Sequence, residues 1–97
     1  MIWHVMKNRS RTEITTMILD SARTGATKSK IMYNAYISYA QLIEYLKFLQ
    51  EGNLLAYEQG TQLYRVTEKG FRFLSTSYEL NELMIPKSKN YQYILNM

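Results

Sequence analysis

The sequence predicts a single α+β domain in which three helices lead into a β-hairpin and a fourth helix follows it. Three observations predict it. Two serine-led capping boxes, Ser10-Arg11-Thr12-Glu13 and Ser38-Tyr39-Ala40-Gln41, each precede apolar residues at helical spacing. Two short runs of strand formers flank Gln59-Gly60. A last segment opens at Glu68 and keeps a helical period until Pro86, which cannot continue a helix.

The first helix should begin near Arg11, with Ile14, Met17, Ile18 and Ala22 on one face and Gly25 as its stop. Thr27 can cap a short second helix that carries Lys28, Ser29, Lys30, Ile31 and Met32 to about Ala35. A turn through Tyr36 and Ile37 then leads to the Ser38 cap. Ile37 just outside that cap and Leu42 at its fifth position are the pair expected of a hydrophobic staple. Leu42, Leu46 and Leu49 form the apolar stripe of the third helix, flanked by Ile43 and Tyr45. Gly52-Asn53 ends it with residues that tolerate a left-handed backbone. Gln59-Gly60 reads as a two-residue hairpin loop, with Tyr64 and Val66 on one face of the second strand and Leu63 and Arg65 on the other. Thr67 can cap the fourth helix, expected from about Glu68 to Ile85.

A chain of 97 residues makes one domain, and 46% hydrophobic residues suit a folded one. No apolar run approaches the roughly 20 residues of a membrane span, and "MIWHVM" is too short for a signal-peptide core. Enzyme readings fail on inventory. Cysteine is absent, His4 is the only histidine, the carboxylates are scattered, and there is no glycine-rich phosphate loop. No metal, cofactor or small-molecule ligand is therefore expected. The charge is uneven: residues 1–30 hold six basic side chains against Glu13 and Asp20, and the remainder balances, so the whole net charge of +4 sits in the first third. Clustered basic charge favours a polyanion through phosphate contacts and counterion release; the plainer reading is a solvated surface.

Two helices joined by a tight turn, the second followed by a β-hairpin, describe a winged helix-turn-helix. "TEITTMIL", "KSKIMYNAYISYAQLIEYLKFLQEGNLL" and "LYRVTEKGFRFL", in this order and spacing, resemble the small archaeal winged-helix DNA-binding proteins grouped as predicted transcriptional regulators. Among these it is similar to the Sulfolobus chromatin-type members, which dimerise through a C-terminal helix. The resemblance spans roughly residues 10–80. It implies binding to double-stranded DNA as a homodimer, with the third helix in the major groove and the wing near the backbone. A cytoplasmic, nucleoid-associated location would go with that role.

Individual residues can be weighed against that expectation. Gln41 either reads adenine through its amide or only completes its capping box. Ser38 and Tyr39 are placed for phosphates or the groove wall, although Tyr39 could also turn inward. Lys28, Ser29 and Lys30 should lie over a phosphate strand at the start of the second helix. Tyr45 lies beside the leucine stripe and serves either the core edge or DNA. Glu44 shares the outer face with Gln41 and repels phosphates unless it accepts from a cytosine amine. The hairpin tip, Glu58-Gln59-Gly60-Thr61, has no cation, which leaves Arg65 as the wing's basic residue and predicts a weak wing contact. The rival reading is a winged helix used as a protein-interaction module, for which the neutral wing, Phe48 and Glu44 argue.

The domain then divides into a helix-turn-helix plus wing over 10–66, a dimerisation helix over 67–85 and a tail over 86–97. On a helical wheel Phe71, Leu74, Tyr78 and Ile85 fall on one side of the fourth helix, and Phe73, Leu80 and Met84 fall more than 100° away. One face can cover the domain; the other needs a partner. The positions 71, 74, 78, 81 and 85 also form a short heptad seam with Asn81 as its polar member. Pro86 limits the helix to about 27 Å, too short for a long coiled coil. The tail "NYQYILNM" and the leading "MIWHVM" have strand-like patterns and could pair with each other.

Overall fold

Each predicted helix start is present as a closed cap. The computed structural model describes residues 9–84, with elements α1 (Arg11–Ser21), α2 (Lys28–Ala35), α3 (Tyr39–Glu51), β1 (Leu55–Glu58), β2 (Leu63–Val66) and α4 (Glu68–Met84). The strand patterns of the two ends, and Ile85 and Pro86, lie outside the described residues. Ser10 and Glu13 close one reciprocal capping box, and Ser38 and Gln41 close the other. Thr27 accepts from the Lys30 amide, and Thr67 Oγ1 accepts from the Gly70 amide at 3.0 Å. These side chains satisfy amide donors that a helix's first turn cannot pair internally.

Every element contributes to one core. Ile18 and Leu19 come from α1, Ile31 from α2, Leu42 and Leu49 from α3, Leu55 from β1 and Leu74 from α4, all fully buried. Tyr64 and Val66 are the buried pair on β2, as their alternation predicts. Ile37 and Leu42, the two members of the staple, are both buried. Leu19 and Thr15 are buried as well, so the core-facing stripe of α1 is wider than the four residues that periodicity marks.

Three turns are set by backbone conformation, and the hairpin loop differs from expectation. The hairpin loop holds four residues, not two, because Glu58 pairs with Leu63 and Gln62 takes the left-handed conformation at φ 60°. The Gln62 amide then donates to the Glu58 carbonyl at 2.7 Å. At the end of α3, Gly52 stays right-handed and Asn53 takes φ 65°, which lets the Leu54 amide return to the Leu49 carbonyl at 2.9 Å. Between α1 and α2, Gly25 at φ 98° turns the chain so that Ala26 exchanges two backbone hydrogen bonds with Tyr64, at 2.9 and 2.8 Å. That bridge sets a third chain segment, one residue long, beside β2 and ties the start of α2 to the wing.

Tyr36 ends α2 in the left-handed region at φ 55°, where an L side chain crowds the backbone. Arg9 holds the turn in place by donating to the Ala35 and Tyr36 carbonyls. Glycine accepts this conformation without strain, so Tyr36→Gly is expected to raise unfolding stability by up to about 1 kcal/mol. A urea melt checks it; a lower midpoint would mean that packing of the ring outweighs the backbone strain.

Candidate nucleic-acid interface

In the helix-turn-helix segment the first turn of α2 lies against the later turns of α3, where Lys28 shares a recess with Ile43, Lys47 and Glu51, and the first turn of α3 is exposed. On α3, Leu42, Leu46 and Leu49 face the core, which leaves Ala40, Glu44, Lys47 and Glu51 as the outermost row. Tyr39 is exposed and does not turn inward. Tyr45 is only 9% exposed and belongs to the core, so it is withdrawn from the DNA-contacting set. The Ser38 hydroxyl accepts from the Gln41 amide at 3.2 Å, while Gln41 Oε1 accepts from the Ser38 amide at 3.0 Å. The oxygen that adenine readout would need is thus engaged in the cap. Gln41 keeps its side-chain NH₂ for an outside acceptor, and a bidentate contact would require it to leave the cap.

Lys28, Ser29 and Lys30 are exposed on the first turn of α2, and neither lysine forms an ion pair among the described residues. The fold brings Lys28 close to Lys47, since both line one recess between α2, α3 and β2. The Arg11 guanidinium sits 4.7 Å from the Phe48 ring centroid and 5.7 Å from that of Tyr45. It shares a shallow recess with Gln41, Glu44, Lys47 and Glu51. Sequence reasoning missed this placement of Arg11, because only the packing of α1 on α3 creates it.

Arg65 departs from its expected role. Its Nε donates to Glu58 Oε1 at 2.9 Å, and Nη1 donates to the Thr24 carbonyl at 3.1 Å. The side chain therefore braces the hairpin against the α1–α2 loop. The Thr61 hydroxyl, and next the Arg65 guanidinium, hold the Glu58 carboxyl below the usual carboxylate range. Lys69, exposed on the first turn of α4, donates to the Gly52 carbonyl at 2.8 Å at the end of α3. Among the described residues the hairpin thus offers no cation without an internal partner.

A winged helix-turn-helix family model matches residues 8–85. The chain belongs to the winged helix-turn-helix family. Among solved structures it is similar to Sso10a-2, a DNA-binding protein from Sulfolobus solfataricus, with 25% identity and a TM-score of 0.70. The match covers 77% of this chain and 81% of that one. No curated protein matches the chain. In winged-helix terms α2 and α3 are the helix-turn-helix and β1–β2 is the wing.

In this winged helix, α4 divides its apolar residues along its length instead of around its axis. Leu74, 1% exposed, is part of the protomer's own core, and Phe73 packs against it. Leu74 is therefore not an intermolecular contact, and a heptad seam running through it is ruled out. Phe71 and Tyr78 lie beside Arg23, whose guanidinium is 5.9 and 5.7 Å from their ring centroids. The Tyr78 hydroxyl donates to Asp20 at 2.6 Å and accepts from Arg23 at 3.0 Å, which fastens α4 to the end of α1. Asp20 first, then Tyr78, raises the Arg23 pKa above its ordinary value. Beyond these contacts Leu80, Leu83 and Met84 are exposed. Leu80 and Met84 line an apolar groove together with Met17 of α1.

Proposed function

We propose that this winged helix binds double-stranded DNA as a homodimer and acts as a transcriptional regulator or chromatin-type protein. The observation that carries the reading is the pair of exposed lysines, Lys28 and Lys30, at the start of α2, without ion pairs among the described residues, in a helix-turn-helix whose α3 opens on an exposed, capped first turn. A helix of this kind fits a major groove about 12 Å wide, with flanking cations over one phosphate strand. Ser29 can donate to the same strand from the positive end of α2. Ser38, Gln41 and Glu44 are the residues proposed to meet the groove, with Glu44 accepting from a cytosine amine. The similarity to a DNA-binding protein of Sulfolobus supports this assignment. Leu80 and Met84 are proposed to join the two protomers. No catalytic step, metal or cofactor enters the reading, and a cytoplasmic, nucleoid-associated place follows from it.

A second reading keeps the fold and replaces DNA by a protein partner. It is favoured by Glu44 and Glu51 on the outer row of α3, by exposed Phe48, and by a wing whose one cation, Arg65, is engaged within the fold. Salt-dependent binding separates the two. Lys28→Ala and Lys30→Ala are each expected to weaken binding to all duplexes alike and to reduce the slope of log K against log salt by about one. Fluorescence anisotropy with labelled duplex measures both. Unchanged slopes in both variants would move the phosphate path off α2.

A further inference from the structure

Most of the basic side chains near the helix-turn-helix are committed elsewhere. Arg9 donates to carbonyls at the end of α2, Arg23 pairs with Asp20, Arg65 pairs with Glu58, and Lys69 closes the end of α3. Among the described residues Lys28, Lys30 and Lys47 remain, with Arg11 held over the Phe48 and Tyr45 rings, and Glu44 and Glu51 on α3 offset part of their charge. A face with so little excess charge has to hold a polyanion largely through neutral donors.

Three tyrosines stand where such donors are needed. Tyr33 lies on the last turn of α2, Tyr36 is the turn residue, and Tyr39 is the first residue of α3. They are 78%, 59% and 60% exposed. Tyr33 lies across α2 from buried Ile31 and Ala35, so it sits on the outer side of the helix that also carries Lys30. None of the three hydroxyls has a hydrogen-bond partner among the described residues, in contrast to Tyr78. Tyr36 also keeps a side chain at a left-handed position where glycine would be free of strain. Strain retained at an exposed aromatic residue points to a use for its side chain.

We propose that Tyr33, Tyr36 and Tyr39 form a row of neutral phosphate contacts, their hydroxyls donating to backbone oxygens of duplex DNA along the groove that α3 enters. The proposal rests on the DNA-binding reading and deepens it. Tyrosine hydroxyls are ordinary donors to phosphate, and such contacts position a protein without reading sequence. A neutral donor displaces no condensed counterion. The salt slope is then set by the cations of this face, Lys28, Lys30, Lys47 and Arg11, at about 4 or less per protomer.

The test is the triple variant Y33F/Y36F/Y39F, which removes three oxygen atoms and keeps every ring. Its thermal melt should match that of the unaltered protein, because the hydroxyls bond to nothing within the fold. Its affinity for a random duplex should fall about 10-fold or more, with the salt slope unchanged. Affinity within twofold of the unaltered protein would overturn the proposal, as would a reduced slope. If the triple alanine variant loses binding while the triple phenylalanine variant keeps it, the rings make the contact by stacking, and the hydroxyl assignment is also overturned. Failure of the unaltered protein to bind any duplex would remove the DNA-binding reading itself. Normal binding by both variants would remove the tyrosine row alone.

Discussion

Replacing Gly70 by alanine is expected to destabilise the protein by about 3 kcal/mol, although alanine is the better helix former by nearly 1 kcal/mol. A Cβ at this position would lie 2.3 Å from the Leu54 carbonyl oxygen and 2.6 Å from Val66 Cγ1. Neither neighbour can yield cheaply. The Leu54 carbonyl accepts from the Thr67 amide at 3.2 Å, and Val66 is a buried residue of β2. The first turn of α4 would have to lift off the wing, and the nearby core contact of Leu74 would be disturbed with it. Urea unfolding gives the measurement. A midpoint equal to or above that of the unaltered protein would mean that helix and wing are not in this close contact.

The double substitution Leu80→Glu with Met84→Glu is expected to convert the proposed dimer to monomer with little change in protomer folding. Leu80 is 54% exposed and Met84 76% exposed within one protomer, so little of the core is lost. Burying each side chain fully at an interface contributes about 1.5–3 kcal/mol, and a glutamate there has to be desolvated as well. Leu74→Ala provides the contrast. It removes a fully buried side chain and should cost about 2–5 kcal/mol of protomer stability. Sedimentation equilibrium decides the first outcome and thermal melts the second. A double variant that remains dimeric at the original affinity would place the interface away from the end of α4.

What could be read from the sequence follows how local the determining interaction is. Ser10 with Glu13, Ser38 with Gln41, and Thr67 with Gly70 lie three residues apart, so their caps were legible. The alternation of Tyr64 and Val66 gave the inner face of β2 for the same reason. Arg65 was misread because one of its partners, the Thr24 carbonyl, is 41 residues away and is brought close only by the Ala26–Tyr64 bridge. Arg9 likewise reaches back to the end of α2 across 26 and 27 residues. Helical-wheel reasoning separated the faces of α4 but could not say where along it the domain stops, and the heptad seam was therefore drawn through Leu74, which belongs to the core. The left-handed Tyr36 had no signal at all, since glycine or asparagine is the usual mark of such a turn.

The central claim, duplex DNA binding through the helix-turn-helix, is tested most directly by titrating the full chain onto a labelled random duplex at low and at physiological salt. The expected result is saturable binding at both, weakened by salt with a slope of about 4 or less per protomer. No binding at low salt would contradict the claim and leave the winged helix as a protein-interaction module.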